Sequence, residues 1–290
     1  MTSIEKALGR LEESGGEKNG LFKSGDETVS TTPDTPSEAP SVRKRSRKSV
    51  YKLNLGELER AGIITPNSHR TNVFEEYRIL KRPVLMNAFG GGAAPVDNGN
   101  LVMVTSASPG EGKTFTAVNL AMSMAIELDT TVLLLDADVI RRTMTHMFNL
   151  QNEPGLIDVL LDKEKDLSEV IIPTDIDKLR LMPAGRTHPN STELLSSSQM
   201  KKLALDLAKR YPDRVVLFDA PPLLATTEGR ALADLAGQIL IVVEAGKTTQ
   251  SAIKEVVSTL DKNKAIGMVL NKSNHMFKRD YYYGAYGDGN

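Results

Sequence analysis

The sequence predicts an α/β fold: a doubly wound, mostly parallel sheet flanked by helices. Three observations predict it. Short apolar, β-branched runs alternate with segments of helical length from Leu101 to Leu270. A glycine-containing turn joins the first of those runs directly to a helical segment. Two later runs each end in aspartate, at Asp136 and Asp219. In open α/β sheets ligands sit beyond the carboxyl ends of the strands, so these three ends mark the expected site.

Residues 1–13 form a candidate amphipathic helix carrying Ile4, Ala7, Leu8 and Leu11, without the apolar core of a signal peptide. Residues 14–49 are rich in Ser, Thr, Pro, Gly and Glu and lack apolar periodicity. Such a segment buries too little surface to offset chain entropy, so a disordered linker is expected. It ends in the basic run Arg43-Lys44-Arg45-Ser46-Arg47-Lys48, which suits either contact with anionic lipid or acidic protein, or a solvated linker. Residues 50–98 read as an extension with a short strand or turn and one helix near Val73 to Leu85. Gly90 to Asn100 reads as a flexible joint. Residues 99–274 form the core domain, and residues 275–290 a flexible, tyrosine-rich tail.

The run Leu101 to Thr105 reads as a buried strand. It leads into Ala107-Ser108-Pro109-Gly110-Glu111-Gly112-Lys113-Thr114, and a helix is expected from Phe115 to Leu128. Strand, loop and helix in this order are the context of a phosphate-binding loop, and hence of a P-loop NTPase fold. Gly110 and Gly112 let backbone N–H groups turn toward oxygen anions, and the helix N-terminus adds partial positive charge. Lys113 is placed to reach the β- and γ-phosphates of ATP, and the Thr114 hydroxyl to ligate Mg²⁺. Glu111 and Phe115 complete the stretch expected around the nucleotide. One departure is Ala107, where the motif usually begins with glycine.

Thr131 to Leu135 leads into Asp136-Ala137-Asp138, and Arg214 to Phe218 into Asp219-Ala220-Pro221-Pro222. Asp219 is the natural Walker B residue, placed to hold Mg²⁺ directly or through water. Asp136 and Asp138 alternate along the chain, so they need not face the same way, and Asp138 is also placed to cap a following helix. Further strands are expected at Lys178–Met182, Gln238–Val243 and Ala265–Leu270, and helices at Thr192–Arg210 and Thr248–Leu260. Asn271, just past the last strand, is placed either to meet an adenine edge or to cap a turn.

The chain has 290 residues, a net charge of -1 and no cysteine. Overall charge favours neither nucleic acid nor membrane. The absence of cysteine excludes disulfides and thiolate metal sites and fits a reducing compartment. No apolar run approaches the roughly 20 residues that span a bilayer. A soluble, cytoplasmic protein is expected. Four of the seven tyrosines, Tyr281, Tyr282, Tyr283 and Tyr286, fall in the last ten residues.

Taken in order, these motifs resemble the bacterial tyrosine kinases that control exopolysaccharide synthesis. The resemblance is greatest to the separate-chain type of PEP-CTERM/exosortase-associated loci. It also rests on the stretches Pro183–Ser197, Val242–Ile253 and Gly267–Asn274. It implies an ATP- and Mg²⁺-dependent kinase. In that family's terms Asp136 is a candidate to activate the incoming tyrosine hydroxyl, and Asp138 and Asp219 organise Mg²⁺. The tail tyrosines become the phosphoacceptors. A family helix of pattern Glu-x-x-Arg-x-x-Arg builds a ring-shaped homo-oligomer. Glu75, Arg78, Lys81 and Arg82 match it here, with lysine in the last place. Lysine keeps the charge but not the bidentate fork. The resemblance also implies activation by a membrane-bound polysaccharide chain-length regulator, a cognate tyrosine phosphatase, and recruitment to the inner face of the cell membrane. The competing class is the partitioning or positioning ATPase. Those proteins carry an extra lysine five residues before the loop lysine, where this chain has Ser108.

Overall fold

The apolar runs become the strands of one seven-stranded sheet in a computed structural model. The structure describes residues 49–273, except 69–70, 93–94, 127–129, 163 and 211–212. The expected N-terminal helix, nearly all of the linker and the tyrosine cluster lie outside the described residues.

The elements run α1 (Leu55–Arg60), α2 (Asn72–Ala88), β1 (Leu101–Ser106), α3 (Lys113–Ala125), β2 (Thr131–Asp136), α4 (Thr143–Met147), α5 (Leu156–Leu161), a 3₁₀ turn (Leu167–Glu169), β3 (Ile172–Pro173) and β4 (Leu179–Met182). They continue with α6 (Ser191–Leu195), α7 (Ser198–Arg210), β5 (Arg214–Asp219), α8 (Thr227–Leu235), β6 (Gln238–Glu244), α9 (Gln250–Ser258) and β7 (Ala265–Asn271). The strand order is β3-β4-β2-β5-β1-β6-β7. Only the short edge strand β3 is antiparallel to its neighbour.

Both faces of the central strands are buried, which is why their sequences read as unbroken apolar runs rather than alternating ones. Successive side chains still point to opposite faces. Met103, Leu133, Leu135, Val216 and Ile241 meet the layer built from α5 to α9. Val102, Val104, Leu134, Leu217 and Val242 meet α3 and the N-terminal extension. The extension is held by polar contacts as well as by packing. Asn119 on α3 accepts the Ile64 N–H at 2.7 Å, and Gln238 donates to the carbonyl of Val84 at 3.0 Å.

The structure adds elements that the sequence pattern did not mark, namely α4, α5, α8, the 3₁₀ turn and β3, and it differs from the expected elements at one helix and in the extension. The single helix expected from Thr192 to Arg210 is two, α6 and α7. The Ser197 hydroxyl donates to the Leu194 carbonyl at 2.6 Å and accepts the Met200 N–H at 3.3 Å, so one side chain closes the first helix and opens the second. The extension also holds a helix, α1, that the periodicity did not mark. Asn54 caps it by accepting the Glu57 N–H. The short strand or turn expected nearby is an isolated bridge between Tyr51 and Thr174.

Candidate active site

The carboxyl ends of β1, β5 and β2 lie side by side, because β5 separates the other two in the sheet. Residue pairing carries this to the site: Val104 is level with Asp219, and Asp219 with Asp136. The N–H groups of Ala137 and Asp138 both donate to the Asp219 carbonyl, at 2.9 and 3.0 Å. The three aspartates are therefore placed by main-chain geometry before any side chain acts.

The loop between β1 and α3 turns through two glycines, Gly110 at φ 90° and Gly112 at φ 97°. Only glycine adopts such values freely. A Cβ on Gly112 would also stand 2.0 Å from the Asn271 amide nitrogen. The loop is braced from within: the Glu111 carboxylate accepts the Ser108 N–H at 3.0 Å, and the Ser106 hydroxyl donates to the Ser108 carbonyl at 2.8 Å. Lys113 and Thr114 open α3, so the positive end of a thirteen-residue helix stands behind the loop.

Lys113 Nζ lies 2.7 Å from Asp138 Oδ2, and both side chains are almost fully buried. The other oxygen of Asp138 accepts the Arg141 N–H at 3.2 Å. Asp138 therefore faces the loop as its position suggested, but it closes a turn rather than capping the following helix, whose N-cap is Arg142 without a side-chain bond. Asp136 is fixed by Thr145, whose N–H and hydroxyl both donate to Oδ2, at 2.8 and 2.7 Å. Its Oδ1 is buried without a hydrogen bond, as are both carboxylate oxygens of Asp219. The Thr114 hydroxyl is close enough to Asp219 to favour its charged form without completing a well-formed bond.

Burial pushes the Asp136 carboxyl up to about 6, against the two hydrogen bonds from Thr145. Burial pushes Asp219 up to about 7, opposed chiefly by the Lys113 charge. The Asp136 and Asp138 charges push Asp219 further upward. Buried carboxylate oxygens lacking donors are costly unless something cationic or protic meets them. The two unpartnered oxygens of Asp219, beside a threonine hydroxyl and a phosphate loop, fit a hard, oxygen-liganded cation such as Mg²⁺, which takes one or two carboxylates plus substrate phosphates.

The remaining expected residues fall in different places. Asn271 donates to the Glu111 carbonyl at 2.9 Å, so it stands against the loop backbone. Phe115 is half-buried in the cluster that includes the extension. On α2, Arg78 pairs with Glu75 at 2.8 Å on the surface, and Arg82 is exposed. Lys81 requires a correction. It is buried, and its ammonium donates to the Ser123 carbonyl of α3 at 2.8 Å. It anchors the helix inward rather than facing a second subunit. Tyr281, Tyr282, Tyr283 and Tyr286 lie outside the described residues.

Sequence reasoning missed Thr145, Thr248 and Lys272. Thr145 sits nine residues beyond the aspartate it holds, with no local signature. Thr248 donates to the Glu111 carboxylate, and Lys272 to the Gly110 carbonyl at 2.7 Å; both reach the loop only through the fold. A groove of about 640 Å³ between α5 and α7, lined by Leu160, Lys165, Leu203 and Asp206 among others, includes none of the site residues. Among the described residues no helix is long and apolar enough to cross a membrane.

Residues 99–273 match the family model of an AAA domain. The chain is 33% identical over 240 residues to the tyrosine-protein kinase YwqD of Bacillus subtilis (strain 168), covering 81% of this chain and 96% of that protein. Among solved structures, the VpsO kinase domain is 32% identical, with a TM-score of 0.55, covering 70% of this chain and 100% of that one. The chimerical protein CapA2B2 superimposes with a TM-score of 0.61 at 25% identity, over 75% of this chain and 98% of that one. With a domain match over more than half its length and a kinase relative aligned almost end to end, this chain belongs to the bacterial tyrosine-kinase family.

Proposed function

We propose that this protein is an ATP-dependent tyrosine autokinase that phosphorylates its own C-terminal cluster, Tyr281, Tyr282, Tyr283 and Tyr286, in trans within a homo-oligomer. The observation that carries the reading is the convergence of Lys113, Thr114, Asp136, Asp138 and Asp219 at one corner of the sheet, in a chain of this family.

Phosphoryl transfer depends mainly on positioning and charge stabilisation. The loop N–H groups and the start of α3 hold the phosphates, and Lys113 reaches the β- and γ-oxygens. Gly110, Glu111, Gly112, Lys113, Thr114 and Phe115 line the nucleotide, with Asn271 beside the loop. Thr114 and Asp219 would hold Mg²⁺, with Asp138 joining them once Lys113 turns to the phosphates, and the ion would supply neutralisation of charge on the transferred group. Asp136 presents its unbonded Oδ1 to the incoming tyrosine hydroxyl and takes its proton. A carboxyl raised toward neutrality is a stronger base than an ordinary one. Thr145 keeps that carboxylate in one orientation.

The same reading gives the chain its setting. The kinase works at the cytoplasmic face of the membrane and is stimulated by a membrane-bound polysaccharide chain-length regulator. A cognate phosphatase reverses it, and the cycle controls exopolysaccharide synthesis or export, in a locus of the PEP-CTERM/exosortase type. Glu75, Arg78 and Arg82 on α2 supply the oligomer contact. Each phosphotyrosine adds about -1.5 to -2 charge, so a modified tail leaves its neighbour's acidic site and loosens the oligomer.

The test is to incubate the full chain with Mg-ATP and map phosphorylation by mass spectrometry, beside Lys113→Met and a variant with all four tail tyrosines changed to Phe. The assay is repeated with the cytoplasmic segment of a neighbouring chain-length regulator. Phosphate on Tyr281 to Tyr286, absent in both variants, supports the reading. ATP hydrolysis without phosphotyrosine under either condition would mean an ATPase switch of the partitioning kind.

A further inference from the structure

We propose that Lys272 is a positioning residue for the phosphate loop, acting with Glu244 as a clasp on the loop's outer side. The inference rests on the nucleotide-binding reading of that loop, and it concerns residues to which that reading assigns no part.

A loop that turns its N–H groups inward toward phosphate turns carbonyls outward, and those carbonyls need partners. Two consecutive ones find them at the end of β7. The Gly110 carbonyl accepts from Lys272 Nζ at 2.7 Å, and the Glu111 carbonyl from the Asn271 amide at 2.9 Å. Lys272 is held in place in turn. Its ammonium lies 3.2 Å from the Glu244 carboxylate, which Lys247 also meets at 3.3 Å. The backbone of Lys272 sits at φ 57°, a left-handed conformation that a residue with a long side chain adopts rarely.

The Glu244 corner reaches the loop a second time. The Glu244 N–H donates to the Thr248 hydroxyl at 2.9 Å, and that hydroxyl donates to the Glu111 carboxylate. The other oxygen of Glu111 holds the Ser108 N–H at 3.0 Å. The contacts therefore close a ring: Gly110, Lys272, Glu244, Thr248, Glu111, Ser108. The ring fixes the loop residues on either side of Pro109. Its one cationic hydrogen-bond donor to the loop backbone is Lys272, and charge-assisted bonds are the stronger kind. The ion pair alone, half-exposed on the lysine side, would contribute little. The bond to the Gly110 carbonyl is what makes the lysine matter.

The experiment measures binding of a fluorescent ADP analogue with Mg²⁺ to the full chain, together with thermal unfolding. Lys272→Met should weaken binding about fivefold, the size expected for losing one solvent-exposed hydrogen bond. Lys272→Arg, which can still donate to both acceptors, should restore most of it. The exchanged pair Lys272→Glu with Glu244→Lys keeps an ion pair but no donor at position 272, and should stay weak. If Lys272→Met binds within twofold of the unaltered chain, the proposal is overturned. It is also overturned if Lys272→Arg fails to recover binding while recovering thermal stability, since the lysine would then be structural only. Failure of the unaltered chain to bind the analogue would instead sink the nucleotide reading itself.

Discussion

Lys113 and Asp138 form a buried ion pair, with the ammonium 2.7 Å from the carboxylate. In the proposed reading the same ammonium is a phosphate ligand. Nucleotide phosphates and Asp138 therefore compete for one lysine, and the pair contributes to folding as well as to chemistry. Removing one partner of a buried pair leaves an uncompensated charge, which typically costs about 3 kcal/mol or more. Lys113→Met should lower stability by that order in urea unfolding without nucleotide. Lys113→Met with Asp138→Asn should recover at least half of the loss while remaining unable to transfer phosphate. Additive losses in the double variant would show that the two side chains do not depend on each other.

The two raised carboxyls make a prediction about pH. Asp136 and Asp219 have an ordinary value of 3.8 and stand at about 6 and about 7 in the folded chain. The folded state thus binds more protons than the unfolded one between about pH 4 and 7. Their contribution to stability is full below about pH 4 and is lost as pH rises through 6 to 7. Asp219→Asn removes part of that dependence. Without nucleotide or Mg²⁺, its melting temperature relative to the unaltered chain should climb between pH 5 and pH 8. A flat difference would mean that Asp219 is ionised throughout. Metal binding needs the ionised form, so Mg-ATP should bind the unaltered chain more weakly as pH falls through that window.

The parts of the site that lie at strand ends were legible, because an apolar run stopping at an aspartate marks a carboxyl end whatever the strand order. Asp136, Asp138 and Asp219 were all found this way. What each carboxylate touches was not legible. Asp136 depends on Thr145, which is brought to it by the short helix α4. Lys81 reads as one charge on an exposed helix face, and only the packing of α2 on α3 reveals that it points inward. The break between α6 and α7 was hidden because serine is nearly neutral within a helix and acts only when its hydroxyl finds backbone partners. Lys272 and Thr248 reach the phosphate loop from more than 130 positions away, through the sheet order alone.

Gly112 tests how closely the loop is fitted to its surroundings. A side chain there is strained by the φ of 97° and meets the Asn271 amide. Gly112→Ala should cost about 1–2 kcal/mol through the backbone and roughly another 1 kcal/mol through the lost bond from Asn271 to the Glu111 carbonyl. Asn271→Ala should cost about 1 kcal/mol in the unaltered chain and almost nothing once Gly112 is alanine. Denaturant unfolding of the four proteins measures that coupling. Full additivity would show that the amide moves aside without losing its bond.

Folding can be separated from the proposed assembly at α2. Arg78 and Arg82 are exposed on the helix, and Glu75 pairs with Arg78 at its surface. Ile79 lies beside them, 71% exposed. Lys81 points the other way, onto the Ser123 carbonyl. Lys81→Met should therefore lower stability by about 1–3 kcal/mol, the cost of losing a charged donor to a buried carbonyl, with no change in oligomer mass. Arg82→Glu should leave stability within about 0.5 kcal/mol and reduce oligomer mass in light scattering, because it reverses the charge at the proposed contact. The two measurements must part in this direction. If Lys81→Met broke the oligomer while Arg82→Glu left it intact, the inward lysine would have to reach a second subunit, and the outward face of α2 would not be the contact.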